Sequence, residues 1–327
     1  MFIYLLKRAI RYLLMIFVTT SATYFLAVST MRPALLEQEK IPRPTDEQIQ
    51  QNFANLGLDP SKNPLERYWE WFLGVFTRWD WGRSPSGAFV NAEFADRVWV
   101  SARLYIVAMI LTIVIGVALG VYAAARQYRL ADRIITGWSY FVYILPAPIG
   151  YFLIQLGAIQ INEAAGSQIF YVTGISTVGV EPGWPAFWDM AAHYVVPTFA
   201  LTVLGWQAYQ ISQRQYLLDN VNADFVRTAR AKGLTRNQAI RKHGLRVSFI
   251  PVAQSIAFQV PLVFMGAFFA EQIFAWPGIG LWAIDVISKA DVNATVATVA
   301  FGSLVFAIGA ILADLATSVV DPRVRVS

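Results

Sequence analysis

The sequence predicts an all-α integral membrane protein with about six transmembrane helices and both termini in the cytoplasm. Of its 327 residues, 56% are hydrophobic and 14% are charged, whereas soluble globular proteins average about 25% charged residues. The mean hydropathy is +0.47. Apolar stretches of about 20 residues, the length that crosses a bilayer core, occur at about 12–31, 98–125, 134–159, 194–211, 247–270 and 294–320.

The distribution of Lys and Arg predicts the orientation, because cytoplasmic segments of membrane proteins carry an excess of positive charge. With the N-terminus inside, the cytoplasmic segments hold sixteen cations against four Asp, a net charge of +12. The other ten cations lie outside with sixteen acids, a net charge of −6. A cleaved signal peptide is the alternative for the first span, although that apolar run is long for a signal core.

The composition also limits the chemistry. The absence of Cys excludes disulfide scaffolds and thiol chemistry, and two histidines are too few for a histidine-rich metal centre. His193 is expected to be a hydrogen-bonding residue rather than a metal ligand. A membrane-embedded hydrolase needs a nucleophile beside a base, and the scarcity of His argues against that class. The chain also lacks the Gly-x-x-x-x-Gly-Lys-Ser/Thr sequence of nucleotide-binding loops.

Three domains are predicted. Residues 1–31 form an N-terminal segment and the first transmembrane helix, residues 32–97 an external subdomain, and residues 98–327 a five-helix core with a cytoplasmic loop at 213–246. Helical spacing in the subdomain predicts one amphipathic helix, whose apolar positions are Leu65, Tyr68, Trp69, Phe72, Leu73, Phe76 and Trp79. Two interpretations stay open for it: an interfacial helix packed on the spans, or a docking surface for an external partner.

The cytoplasmic loop predicts two short helices joined at a glycine. Asn222 is a favourable N-cap residue, residues 223–232 contain no Gly or Pro, and Gly233 suits the position after a helix end. The second helix is predicted to begin at Thr235, which forms a capping-box pattern with Gln238. The spacing alone is equally compatible with a basic loop that only sets the topology.

The run Asn222-Ala223-Asp224-Phe225-Val226-Arg227-Thr228-Ala229-Arg230-Ala231-Lys232-Gly233-Leu234 closely resembles the cytoplasmic loop of ABC-importer permeases of the dipeptide/oligopeptide/nickel branch. Arg227 and Thr228 replace the Glu-Ala of the wider family signature, and Arg246 stands near its usual proline. Further similar elements are Trp79-Asp80-Trp81-Gly82-Arg83-Ser84, His193-Tyr194-Val195-Val196-Pro197, Glu271-Gln272-Ile273-Phe274-Ala275-Trp276-Pro277-Gly278-Ile279-Gly280 and Asp321-Pro322-Arg323-Val324-Arg325. The resemblance therefore covers nearly the whole chain.

This resemblance implies a permease subunit in the bacterial cytoplasmic (inner) membrane that forms half of the pathway of an ATP-driven importer for di- or oligopeptides. The implied partners are a second homologous permease, two cytoplasmic ABC ATPase subunits, an external peptide-binding protein and the lipid bilayer, with no nucleic acid. ATP and Mg²⁺ would bind to the ATPase subunits, and no cofactor to this chain. The implied ATPase-coupling residues are Asp224, Arg227, Thr228, Ala229, Arg230, Ala231, Lys232 and Gly233, and the external motif comprises Glu271, Phe274, Pro277, Gly278 and Gly280.

Alternatives remain for the substrate and for the transport class. Nickel or another small solute is possible for this branch, although the chain offers neither Cys nor a histidine pair as transition-metal ligands. A proton-coupled carrier would need ionisable residues in mid-span, and Asp314 is the one firm intramembrane acid, expected to pair with a polar neighbour.

Two further expectations concern the path and the external motif. Pro146 and Pro148 should bend the third span, and they suggest a cavity wall. Pro277 to Gly280 is expected to be a turn, and Glu271 to be either an interfacial cap or a contact for the external partner.

Overall fold

A computed structural model describes residues 2–31, 44–59 and 62–320 of the chain. These residues form helices, and among them the one β-type pairing is an isolated bridge between Arg83 and Phe89. The helices are α1 (Phe2–Thr30), α2 (Asp46–Asn55), α3 (Pro64–Arg78), α4 (Val90–Ala125), α5 (Leu130–Ile144), α6 (Ala147–Ala165), α7 (Trp184–Val203), α8 (Trp206–Val221), α9 (Asp224–Ala231), α10 (Arg236–Ala239), α11 (Leu245–Leu262), α12 (Phe268–Ile273), α13 (Ile279–Ser288) and α14 (Val292–Val320).

Four helical stretches in the described ranges are long and apolar enough to cross a membrane: Lys7–Thr30, Val90–Ala125, Arg236–Met265 and Val292–Ala316. The third of these is continuous because a π-helical turn, Ile240–Gly244, joins α10 to α11. The pair α5 and α6 would supply a fifth span, although it is bent by 107°. The predicted fourth span falls on α7 and α8, which are separate helices. The all-α membrane fold is confirmed, while the count of six and the cytoplasmic termini stay predictions.

The bend between α5 and α6 lies at the prolines that predicted it. Pro146 is the N-cap residue of α6, and Pro148 lies in the first turn of that helix. Proline has no N–H group and is tolerated where a helix begins, because the first N–H groups have no intrahelical acceptor. The two prolines therefore start a new helix in a new direction.

The chain divides into two compact units. The first comprises Met1–Ser101, Phe264–Phe268 and Pro277–Ala307. In it, α2 packs on α1 and on the start of α14 through a buried cluster of Tyr24, Ala27, Ile49, Phe53, Leu58, Val292 and Val296. The Asn293 amide donates to the carbonyl oxygens of Leu56 and Arg83 at 2.9 and 3.0 Å. This one side chain thus fastens the loops at Leu56 and Arg83 to α14.

The second unit comprises Ala102–Val263, Phe269–Trp276 and Ile308–Ser327, and α8 lies at its centre. Glycines on α4 allow a close approach to α8, since a Cβ atom at Gly120 would lie 2.8 Å from the Gln210 carbonyl oxygen. On another side, the Gln213 amide donates to the Ser248 hydroxyl of α11 at 3.1 Å. Small residues and polar pairs of this kind typically hold membrane helices together.

Candidate functional site

The predicted coupling segment contains the helix α9, whose C-terminal end is fixed by a glycine. Gly233 adopts a φ of +95°, its N–H donates to the Arg230 carbonyl at 2.9 Å, and the Leu234 N–H donates to the Ala229 carbonyl at 3.3 Å. These two bonds form a Schellman motif, which requires a left-handed residue after the helix. The prediction that Gly233 ends this helix is confirmed.

The prediction that Asn222 caps the start of α9 is wrong. Asn222 ends the preceding helix α8, with a near-helical backbone, and Ala223 occupies the N-cap position without a side-chain hydrogen bond. The reason is the short connection: only two residues separate α8 from α9. Asp224 stands in the first turn of α9 instead, where a negative charge is favoured by the helix dipole.

One face of α9 is packed against its own chain. Val226 and Ala229 are buried, at 1% and 6% exposure, beside Leu217 and Val221 of α8. Ala239 and Ile240 complete the same apolar cluster. The small size of Ala229 therefore serves packing inside the chain, and this residue lies outside any surface that a partner could touch in this structure.

The opposite face of α9 is exposed. Seven of the eight predicted coupling residues lie on this exposed side or at its end: Asp224, Arg227, Thr228, Arg230, Ala231, Lys232 and Gly233. We call this set the coupling surface. It carries three cations and one acid, and further exposed cations follow at Arg236, Arg241, Lys242 and Arg246. A surface of this charge attracts an acidic partner surface.

The helix after the glycine begins as the sequence predicts. The Thr235 hydroxyl accepts the Gln238 N–H, and the Gln238 side chain accepts the Thr235 N–H at 3.0 Å. This capping box satisfies two N–H groups at the start of α10. Because α10 continues into the candidate span Arg236–Met265, the coupling surface lies directly before a helix that is long and apolar enough to cross the membrane.

A buried ion pair anchors α8, the helix that carries α9. The Arg214 guanidinium donates to both carboxylate oxygens of Asp132 on α5, with Nε–Oδ1 at 2.6 Å and Nη2–Oδ2 at 2.8 Å. The Asp132 carboxylate also accepts the Tyr128 N–H at 2.8 Å and the Thr136 hydroxyl at 3.2 Å. Bidentate pairs of this type are strong and geometrically specific.

Sequence reasoning missed this pair because it counted both residues only as cytoplasmic charges. No local pattern joins residues 82 positions apart. The available signal was an Arg within a helix that also contains three glutamines at three-residue spacing, Gln207, Gln210 and Gln213, all buried. A polar stripe of this kind in an apolar chain indicates helix packing rather than contact with lipid.

The external motif is divided between the two units. In the second unit Glu271 and Phe274 are fully buried, so Glu271 presents no surface to an external partner in this structure. In the first unit the Pro277 carbonyl accepts from Arg97 at 3.0 Å, and a Cβ atom at Gly280 would lie 2.9 Å from the Phe268 nitrogen. Gly278 is the N-cap residue of α13. Ile279 and Gly280 already belong to α13, so residues 277–280 begin a helix, and the expectation of a turn there is wrong.

The segment between α6 and α7, residues 166–183, is held by polar side chains. Gln155 on α6 donates to the carbonyl oxygens of Ile273 and Val172 at 2.7 and 3.2 Å. His193 is buried, stacks on Tyr171 and hydrogen-bonds the Asp189 carbonyl at 2.9 Å, so its predicted hydrogen-bonding role is confirmed. Hydrogen bonds from Thr177 hold the pKa of the Asp189 carboxyl below its ordinary value. The conformation of the segment between α6 and α7 is therefore fixed by specific side-chain hydrogen bonds and ring contacts.

An apolar groove of about 580 Å³ lies between α4 and α7. It is lined by Leu111, Ile115, Leu119, Ala191, Tyr194, Val195, Thr198, Phe199, Thr202, Val203 and Trp206. Neither Pro146 nor Pro148 belongs to this lining, so the suggested cavity wall is not at this groove.

Asp314 is half-buried in α14, and its predicted pairing stays a prediction. The predicted motif at 321–325 lies outside the described residues.

Comparison with known proteins identifies the class of this membrane protein. Residues 116–326 match the family of binding-protein-dependent transport system inner membrane components. The chain belongs to this family, and it is a multi-pass inner-membrane permease subunit.

Curated relatives cover most of the chain. It is 37% identical to the oligopeptide transport system permease protein OppB of Mycobacterium tuberculosis H37Rv over 99% of both chains. It is 30% identical to the dipeptide transport system permease protein DppB of Escherichia coli K12 over 84% of both. It is also 30% identical to the oligopeptide transport system permease protein AppB of Bacillus subtilis 168, over 79% of this chain and 80% of that one.

Proposed function

We propose that this chain is one of two related transmembrane subunits of an ATP-driven ABC importer for di- or oligopeptides. It would form half of the translocation pathway, with a peptide-binding protein outside and two ATPase subunits inside. The peptide assignment is supported by the names of the relatives that match over 99%, 84% and 79% of this chain. The matching loop string from Asn222 to Leu234 supports the same branch.

The single observation that carries the ATPase assignment is the division of α9 into two faces. Its apolar face is seated on α8 by Val226 and Ala229, while Arg227, Arg230 and Lys232 are exposed. A basic loop that was merely solvated would not need an apolar face packed against α8. A helix that is seated on its own chain and exposed on its cationic side has the form of a docking element.

The mechanical part of the proposal follows from how α9 is joined to the membrane helices. A displacement of α9 is passed to α8 because the connection is two residues long. The helix α8 is in turn tied to α5 by Asp132 and Arg214 and to α11 by Gln213 and Ser248. Closure of the ATPase subunits on ATP would therefore move several spans together rather than one loop.

The chemistry of ATP hydrolysis is assigned to the partners. This sequence has no phosphate-binding Gly-x-x-x-x-Gly-Lys-Ser/Thr loop, so we place ATP and Mg²⁺ in the ATPase subunits and give this chain no enzymatic role. Its contribution to energy coupling would be conformational.

Nickel is the second candidate substrate, and a proton-coupled carrier is the second transport class. The relatives named above are peptide systems, and the chain has no Cys and two His, which disfavours a path built for transition-metal ligands. For proton coupling the sequence offers Asp314 alone as a mid-span acid.

The test is reconstitution of the complete importer in proteoliposomes, with its second permease, ATPase subunits and binding protein. A labelled peptide should be taken up with ATP, and the peptide-loaded binding protein should stimulate ATP hydrolysis. A proton gradient without ATP should drive no uptake. Stimulation by nickel and by no peptide would reverse the substrate assignment, and uptake driven by the gradient alone would replace the ABC mechanism.

A further inference from the structure

The helix α3 in the external subdomain has an apolar stripe that its own chain leaves uncovered. Leu65, Trp69 and Phe76 are 66%, 56% and 80% exposed. At about 100° per residue these three positions fall within about 40° of one another around the helix, and the exposed Leu73 lies beside them. We call these four residues the α3 stripe. A contiguous apolar surface of this kind marks an interaction site.

A separate part of the apolar side of α3 packs on α1. The rings of Tyr68 and Phe25 lie 4.9 Å apart and those of Phe72 and Phe17 lie 5.7 Å apart. The hydroxyls of Tyr68 and Ser21 are joined by a 2.6 Å hydrogen bond. The apolar surface of α3 is therefore wider than the part that contacts α1. The α3 stripe is the remaining part, which α1 does not cover.

The helix α1 determines what lies next to this stripe. Lys7–Thr30 is a candidate membrane span that is only 11% buried in its most apolar part, so its own chain leaves most of its surface available to lipid. Its contacts with α3 run from Phe17 to Phe25, which lie in the C-terminal half of α1 (Phe2–Thr30). A helix fixed against that half extends the lipid-facing surface of α1 with its own exposed apolar side chains.

We infer that α3 is an interfacial membrane helix whose stripe is immersed at the boundary between headgroups and acyl chains, in the leaflet around the C-terminal half of α1. In the predicted orientation this is the outer leaflet. Helices of this type place a strongly apolar face about 5–10 Å into that boundary. Trp69 has the amphipathic ring that is enriched there.

The charges on the polar side of α3 indicate whether its membrane contact depends on anionic headgroups or on apolar area. Glu66 and Glu70 balance Arg67 and Arg78 on that side, and Glu70 pairs with Lys62 at 2.8 Å. A helix without excess positive charge gains little from anionic headgroups. Its membrane contact is therefore set by apolar area, and it should not depend on the fraction of anionic lipid.

The absence of Cys from the chain makes a site-specific test direct. Phe76→Cys and Thr77→Cys place a thiol on neighbouring residues about 100° apart on the helix, one in the stripe and one on the exposed polar side. Each full-length variant is labelled with a nitrobenzoxadiazole fluorophore and reconstituted in lipid nanodiscs. Quenching is then measured with lipids spin-labelled near the top of the acyl chain and with aqueous iodide.

The expected result is strong lipid quenching at position 76 and iodide quenching at position 77, in both neutral and partly anionic nanodiscs. Iodide quenching at both positions would show a stripe in water and overturn the inference, and lipid quenching at both would overturn the interfacial placement. Quenching by neither reagent at position 76, or shielding that needs added binding protein, would make the stripe a protein-docking surface instead. Lipid quenching at position 76 confined to anionic nanodiscs would contradict the apolar origin of the contact.

Discussion

Arg214 and Asp132 join α8, the helix that precedes the coupling surface, to α5, the first helix of the bent pair. The guanidinium of Arg214 is one-fifth exposed and the carboxylate of Asp132 is 3% exposed. Since both oxygens of Asp132 are used by Arg214, the pair fixes the rotation as well as the position of α8. If α9 transmits the movement of the ATPase, as we propose, this contact is one route by which α8 would pass it to α5.

Arg214→Gln should lower the stability of the assembled protein and also weaken ATP-driven uptake. The Asp132 carboxylate would be left buried without its cation, which costs about 2 kcal/mol after allowing for the partial exposure of Arg214. The readouts are thermal unfolding in detergent and peptide uptake in proteoliposomes. Arg133→Gln, an exposed cation on the same helix as Asp132, is the control and should change neither.

The double variant Asp132→Asn, Arg214→Gln separates charge burial from coupling. Removing both charges relieves the unpaired carboxylate, so stability should recover toward the wild-type value while uptake stays reduced. An Arg214→Gln protein that melts and transports as the wild type does would contradict the anchoring role.

Ala229 and Ala231 allow the two faces of α9 to be tested with the same substitution. Ala229→Leu adds three carbon atoms to a packed cluster and should destabilise the protein by about 1–3 kcal/mol through overpacking. Ala231→Leu adds the same atoms on the exposed face. It should leave the melting temperature within about 1 °C, because surface changes cost little, and should reduce stimulation of the ATPase by loaded binding protein. Equal effects of both variants on stability and ATPase would argue against the division of α9 into two faces.

The topology is testable in the same Cys-free background. Ser86→Cys in the external subdomain and Asn237→Cys after the coupling surface are both at exposed positions. An impermeant thiol reagent should label the first from outside intact spheroplasts and the second only in inverted vesicles. Labelling of both from one side would overturn the predicted orientation, which rests on net charges of +12 inside and −6 outside.

Features with local causes were predictable from the sequence. The glycine at 233 and the Thr235 capping box depend on a few neighbouring residues, and both appear in the structure. The prolines at 146 and 148 predicted a bend, although the pattern gave no indication that the turn would reach 107°. Helical spacing also placed α3 within one residue of its observed ends.

Features that depend on distant partners were not predictable. The prediction that Asn222 caps α9 was wrong because α8 extends to Val221. The length of α8 is set by tertiary packing rather than by capping preference. Asp132 with Arg214 and Gln155 with Ile273 are separated by 82 and 118 positions, so no pattern window contains both partners. The burial of Ala229 likewise depends on Ala239 and Ile240 beyond the glycine turn.

The central claim is that closure of the ATPase is passed through α9 and the turn at Gly233. Gly233 has a φ of +95° with open space around it, so Gly233→Val acts through backbone strain alone. That strain is about 1 kcal/mol or more, equivalent to roughly a fivefold change in a conformational equilibrium. Gly137→Val adds the same side chain at a helical glycine that is also unobstructed and lacks a positive φ.

The most direct measurement is therefore ATP hydrolysis stimulated by peptide-loaded binding protein, together with peptide uptake, in proteoliposomes holding equal amounts of each variant complex. The account predicts normal insertion for both variants, a severalfold loss of stimulated hydrolysis and uptake for Gly233→Val, and wild-type values for Gly137→Val. A loop that only sets topology would instead lose function in the combined Arg236→Gln, Arg241→Gln variant and keep it in Gly233→Val. Wild-type uptake and stimulation in the Gly233→Val complex would contradict the coupling role of this turn.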